Sequence, residues 1–250
     1  EIVDCDWSSD VCSSDLEVYK ADIILKVEPP TLAEIDLMKA GQTLVSALQP
    51  GHLEAEYLHR LNSRRVTALA WEFIEDNGGG MPVIRVLSEI AGIAALSVAA
   101  QYLSSAESGR GIILGGITGV PPTKMVIIGA GTVAENVARG ALAQGAEVQI
   151  YDNHLYKLRR IKQLLGHQVY TSTIDTIGLA ETLRTADVVI GTLRAEKGRT
   201  RHVVSEDMVR QMKPDSLIID LSIDHGGCIA TSDITTHDNP VYRQIGRAHV

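Results

Sequence analysis

The stretch KMVIIGAGTVAENVARGALAQGAEVQIYD, residues 124–152, changes hydrophobic period twice in 29 residues. Its spacing predicts a buried strand over 124–129, a helix over 132–144 and a second strand over 146–151. Between strand and helix stands Gly129-x-Gly131-x-x-Ala134, and Asp152 ends the second strand 23 residues after Gly129. Each position has a mechanical reason. Gly129 permits the tight turn, Gly131 leaves room for backbone to approach a pyrophosphate, and Ala134 lets helix and strand pack closely. The helix start offers unpaired N–H groups and a positive dipole end to phosphate. A carboxylate at the strand tip can accept both hydroxyls of an adenosine ribose, and the whole pattern predicts a dinucleotide site. A 2′-phosphate beside Asp152 meets like charge, and Asn153 and His154 supply no arginine clamp, so NAD is expected over NADP. Lys157, Arg159 and Arg160 read as a solvated helix face.

Working outward, alternation continues on both sides. Downstream, strands are predicted at 167–171, 187–191 and 216–221, and helices at 154–165, 176–184 and 205–212. Upstream, ADIILKV (21–27), TLVSAL (43–48) and VTALAWEFI (66–74) read as strands. Between them lie helical segments at 31–41, with Thr31 and Glu34 spaced as a capping box, and at 52–64. Residues 83–104 read as a long connecting helix, and the glycine- and proline-rich 108–122 as a boundary. The expected fold is α/β: a Rossmann-type doubly wound parallel sheet plus a partial second α/β domain for substrate.

The termini read differently. IGRAHV (245–250) back-translates as ATC GGA AGA GCA CAC GTC, whose reverse complement encodes DVCSSD, the sequence at 10–15. Residues 1–16 and 245–250 are therefore expected to be translated sequencing-adapter scar and set outside the fold. The expected division is then 17–104 for the partial amino-terminal domain and 105–244 for a nucleotide domain truncated at its carboxyl end. Cys5 and Cys12 fall in the scar, leaving Cys228, read as a small buried apolar residue, and no internal disulfide. The net charge of −8 becomes about −4 without the five terminal acids (Glu1, Asp4, Asp6, Asp10, Asp15) and Arg247, with no basic block to suggest nucleic acid. The most apolar stretch, 90–100, has 11 residues where about 20 cross a bilayer, so no membrane span and a cytoplasmic location are expected. With 45% hydrophobic but only 4% aromatic residues, the core must be Val, Ile, Leu and Ala. The histidines lack metal-ligand spacing, and no metal is expected.

Four motifs, LSEIAG (87–92), GGITGVPP (115–122), the glycine loop with Asp152, and DLSIDHGGC (220–228), occur in an order and spacing that resemble the alanine dehydrogenase / nicotinamide nucleotide transhydrogenase alpha family. KVEPP (26–30) resembles an altered form of that family's Lys-Val-Lys-Glu-Pro segment, and the Asp-x-Gly-Gly-Cys ending favours the dehydrogenase branch. The resemblance implies that Lys26 contacts the keto-acid substrate, that Ser88 contacts the cofactor with Gly129, Gly131, Ala134 and Asp152, and that Asp224 takes part in acid–base chemistry. Leu221 and Ile223 join the expected cofactor set. It also implies a reversible conversion of L-alanine to pyruvate and ammonium with NAD, and a hexamer.

Asp224 has a competing reading as a loop-capping aspartate bonded to the N–H groups of Gly226 and Gly227. Asp220 reads as structural or cofactor-facing, His225 as structural, and Lys26 without the resemblance as a snorkelling strand-end lysine. Where the family has a catalytic histidine, this chain has Gln49, which can hydrogen-bond a carbonyl but cannot titrate. Proton transfer would then fall to Asp224 or to His52, which also suits a helix start. The family's amino-terminal arginine and carboxyl-terminal segment are missing, so the chain by itself is expected to be inactive or nearly so. The alternatives are a non-catalytic NAD-binding regulatory module and a transhydrogenase-type hydride-transfer subunit.

Overall fold

The computed structural model describes residues 17–48, 53–107, 109–166, 169–194, 200–236 and 238–250. The expectations for Gln49 and His52 lie outside those residues, as do Cys5 and Cys12. The chain divides into two compact units, one ending at Val86 and the other beginning at Leu87. The division falls inside the long helix rather than at its carboxyl end near residue 104, where a boundary is expected from the sequence.

In the first unit, β1 (Ile23–Leu25), β2 (Thr43–Ser46) and β3 (Thr67–Ala70) form a parallel sheet in the order β1-β2-β3. The linking helices are α1 (Leu32–Leu37) and α2 (Ala55–Ser63). The predicted capping box is present: Thr31 Oγ1 accepts from Glu34 N–H at 3.2 Å, and Glu34 Oε2 accepts from Thr31 N–H at 2.6 Å. The core is small, with Ile24, Ile35, Met38, Leu44 and Leu61 at its centre. The strand expected to run to residue 74 ends at Ala70, and Trp71–Phe73 turn as a short 3-10 helix.

The second unit holds most of α3 (Pro82–Leu103) and a seven-stranded sheet. Its strands are β4 (Lys124–Ile128), β5 (Glu147–Tyr151), β6 (Tyr170–Ser172), β7 (Val188–Gly191), β8 (Leu217–Asp220), β9 (Tyr242–Gln244) and β10 (Arg247–His249). The order is β6-β5-β4-β7-β8-β10-β9, parallel throughout except for β9 against β10. The helices are α4 (Thr132–Ala143), α5 (Leu155–Leu165), α6 (Thr176–Leu183) and α7 (Glu206–Gln211). Alternate residues of one strand feed two separate cores, which is why these strands read as unbroken apolar runs. Met125 and Ile127 pack with α3 and α4, whereas Val126 and Ile128 pack with α6 and α7. Each such side chain contributes about 1.5–3 kcal/mol on burial. The sheet is thus doubly wound, as expected.

Two expectations are corrected. No strand is expected at β9 or β10; of residues 245–250, expected to be adapter scar outside the fold, Arg247–His249 form β10 beside β8 with Arg247 and His249 buried. By length and composition, α3 does reach a membrane-spanning size, with 22 residues and a mean hydropathy of 1.8 over its most apolar 18-residue window. The 11-residue apolar stretch at 90–100 is only part of the helix, which runs on upstream through Glu89 and Arg85. Its inner face, Ala95, Leu96, Ala99 and Leu103, is committed to the unit's core.

Candidate cofactor and substrate site

Strand order reverses at β4, since the chain winds outward to β5 and β6 on one side and to β7 and β8 on the other. The crevice at the carboxyl ends of β4 and β7 is where open parallel sheets bind ligands. Three loops meet this edge: the glycine loop after β4, the Thr192 loop after β7, and residues 221–229 after β8. They are tied together, with Thr192 N–H donating to Ile128 O at 2.7 Å and Leu221 N–H to Gly191 O at 2.8 Å.

Gly129 has φ +113°, and a Cβ there would lie 2.4 Å from Thr192 Oγ1, so glycine is required on two counts. A Cβ on Gly131 would meet nothing within 4 Å, so the space in front of it is open. Gly131 is also the N-cap of α4 and supplies no side-chain cap, whereas α1, α6 and α7 are capped by Thr31, Asp175 and Ser205. The first N–H groups of α4 therefore remain available to an anion. Ala134 is fully buried and lets α4 lie close to the sheet. Gly92 of α3 does the same from the other side: a Cβ there would stand 2.8 Å from Val133 O. Ser88, one turn earlier on that face of α3, is half-buried.

Asp152 sits at the tip of β5, 3% exposed. Its Oδ2 accepts from Ala130 N–H at 2.8 Å, and its Oδ1 accepts from His154 N–H at 2.7 Å and lies 2.9 Å from His154 Nδ1. The acid thus braces the glycine loop from the tip of the neighbouring strand. Arg160, read from sequence as solvated, reaches back to the loop, donating to Ala130 O at 3.3 Å and pairing with Glu135 Oε2 at 3.3 Å. Neither His154 nor Arg160 carries a sequence signal for these contacts beyond its nearness to Asp152.

After β8, the two aspartates take different parts. Asp220 is buried and structural: Oδ1 accepts from Ser222 N–H at 3.0 Å and Ser222 Oγ at 2.5 Å. Its Oδ2 accepts from Cys228 N–H at 2.9 Å and Ile229 N–H at 3.1 Å. Cys228 is fully buried, and burial with the Asp220 charge pushes its thiol up to about 12, so it stays protonated and inert. Asp224 lies exposed in a 3-10 turn, Ile223–His225. The loop-cap reading fails for a definite reason. Gly226 N–H donates to Ile223 O and Gly227 N–H to Ser222 O, so neither is left for the carboxylate. Leu221 is exposed and Ile223 half-buried on the same loop.

In the first unit, Lys26 Nζ donates to Glu34 Oε1 at 2.6 Å. Burial alone would raise the Glu34 carboxyl, but hydrogen bonds from Lys26, from Thr31 and from Tyr19 outweigh it and hold it at about 2. The Tyr57 hydroxyl is buried without a partner among the described residues, and burial with the Glu34 charge pushes it up to about 12. Glu34 was visible in the sequence as a capping residue, but its pairing with Lys26 was not.

The family model for the alanine dehydrogenase/PNT carboxyl-terminal domain matches residues 95–250, and that for the amino-terminal domain matches residues 8–91. The chain belongs to the alanine dehydrogenase/PNT family. Within that family it is 36% identical over 245 residues to the alanine dehydrogenase of Methanococcus maripaludis, covering 96% of this chain and 65% of that protein. It is 35% identical over 244 residues to the alanine dehydrogenase of Bacillus subtilis, covering 96% and 64%. Among solved structures, an L-alanine dehydrogenase aligns with TM-score 0.89 at 32% identity, over 96% of this chain and 66% of that one. The Sinorhizobium meliloti transhydrogenase aligns with TM-score 0.81 at 23% identity, which speaks for the fold alone. The chain therefore spans just under two thirds of the length of these family members.

Proposed function

We propose that this chain carries the nucleotide unit and part of the substrate unit of an NAD-dependent dehydrogenase. The reaction would convert L-alanine, NAD and water into pyruvate, ammonium, NADH and a proton, and would run in both directions. The observation that carries this reading is the open space at Gly131 in front of uncapped α4 N–H groups, with Asp152 at the neighbouring strand tip. Membership of the family supports it.

The residues present fit a nicotinamide dinucleotide: Gly129, Gly131 and the α4 amides for the diphosphate, and Asp152 for the ribose, with Ser88, Ala134, Leu221 and Ile223 around them. When bound, that cofactor accepts the hydride from C2 of the amino acid. Asp224, exposed at the carboxyl edge of the sheet, is suited to take the proton released from the amine or from water. Lys26 has three N–H donors and gives one to Glu34, leaving two for a substrate carboxylate. Gln49 is proposed to hydrogen-bond the substrate carbonyl. The same reading makes the protein a cytoplasmic homo-oligomer acting on a small amino acid.

Calorimetry tests the cofactor half. NAD should bind, and Asp152→Asn should weaken it by about 10- to 100-fold, on the order of 1.4–2.8 kcal/mol, with NADP little changed. Equal losses for both cofactors reject the ribose assignment. Turnover of L-alanine by the full-length protein, abolished by Asp224→Asn, supports the chemistry. A second reading, a non-catalytic NAD-binding module, draws on Gln49, which cannot titrate, standing where the family has a catalytic histidine. NAD binding by the full-length protein without turnover of any small amino acid would favour it.

A further inference from the structure

We infer that a cavity at the amino-terminal edge of the seven-stranded sheet binds a small monoanion with a short apolar body, at the sheet's opposite end from the glycine loop. The cavity measures about 410 Å³ and lies between the 110–123 loop and the starts of β4 and β7. That volume falls within the range of small-molecule sites. Ile113, Ile117, Val120 and Pro121 give it an apolar wall, and Arg110, Lys124, Asp187 and Lys213 give it a charged one.

The charges do not balance. Asp187 is buried; its Oδ1 takes both Arg110, at 2.5 Å, and Lys213, at 2.8 Å, while its Oδ2 accepts the backbone N–H of Lys124 at 2.9 Å. The Lys124 ammonium lies 3.9 Å from Glu147 and is balanced there. Two cations therefore share one oxygen of a single carboxylate, leaving one positive charge in excess beside an apolar surface. Bracing the loop needs only one of them, and the second adds like-charge repulsion beside the first. A guanidinium has five N–H donors and an ammonium three, and Asp187 is the acceptor for both among the described residues. A single carboxylate or phosphate monoanion head supplies the missing charge and acceptors, and a hydrocarbon tail of a few carbons suits the Ile113–Val120 wall. Charge count sets the head and the wall sets the tail.

Butyrate is the probe, with butyramide as its uncharged match and acetate as its tail-less one. In amide-resolved NMR of the chain, butyrate should shift Gly111 and Gly116 saturably at about 10 mM or below while leaving Gly131 in place. Butyramide should fail to do so, and acetate should bind more weakly than butyrate. Lys213→Met and Arg110→Met should each weaken butyrate by about tenfold or more while leaving NAD affinity unchanged. No saturation, equal binding of butyramide, or unchanged affinity in both variants overturns the site, and acetate binding as well as butyrate overturns the apolar tail. The butyrate–butyramide comparison decides on the unaltered chain should either variant fail to fold. Failure of NAD to bind would count against the glycine-loop reading alone.

Discussion

A methyl group added at Gly129 strikes Thr192, whereas the same methyl at Gly131 meets nothing within 4 Å. The two glycines, read as one motif, are therefore separable by experiment. Gly131 has φ −86°, which alanine adopts freely, so Gly131→Ala should change urea-unfolding stability by less than about 1 kcal/mol. It should still lower NAD affinity by about tenfold or more, because the methyl takes the space a diphosphate needs. Gly129→Ala should instead cost more than about 2 kcal/mol of stability, combining positive φ with the Thr192 collision. Equal stability losses in the two variants would contradict this division. The motif was legible because glycine reports on backbone, which is local. The duties of His154, Arg160 and Glu34 were not, because a long side chain's partner depends on where other elements fall.

At the scale of elements, most strands and helices of the nucleotide unit lie within a residue or two of where the sequence puts them, because a strand buried on both faces must be apolar throughout. The strand expected at 167–171 is the exception: residues 167 and 168 lie outside the described residues, and β6 runs from Tyr170 to Ser172 at the sheet's edge. β10 lacked that signature. Arg247 and His249 are buried in it; the guanidinium donates to the carbonyls of Ile245, Arg210 and Met212, and His249 Nε2 lies 2.8 Å from Thr231 Oγ1. No hydrophobic pattern announces a strand held in this way. Burial lowers the His249 imidazole below its ordinary 6.5. The unfolded chain then binds the proton more readily, so stability is full above about pH 6.5 and falls as pH drops through it. Glu34 of α1, held at about 2, acts lower: its contribution is complete above about 4.5 and is lost between there and 2. Melting temperatures measured from pH 7 to 3 should show both declines, and His249→Leu should remove only the first. A wild-type curve flat between pH 6.5 and 5 would refute the His249 assignment.

At the scale of the whole molecule, the two units have unequal means of staying folded. Among the described residues, the first rests on one small core beneath three strands, and Ile23 and Leu25 of β1 are 66% and 73% exposed. The second has two cores, one on each face of its sheet. Apolar burial supplies most of the stabilisation of a domain of this size. Hydrogen exchange should therefore be faster at the amides of β1–β3 than at those of β4, β7 and β8, with saturating NAD slowing the second set. The α/β class of both units could be read from alternation alone. The division within α3 could not, because a continuous helix shows no break in its period where packing changes hands.

The peptide of Ala130 is pinned on both sides, its N–H by Asp152 and its carbonyl by Arg160, while Gly129 N–H continues the ladder to Tyr151 O at 2.6 Å. A cradle fastened in this manner has no ordering event to wait for. Rapid mixing with NAD should thus give one exponential whose rate climbs linearly with concentration, and a plateau would reveal a hidden isomerisation of the loop.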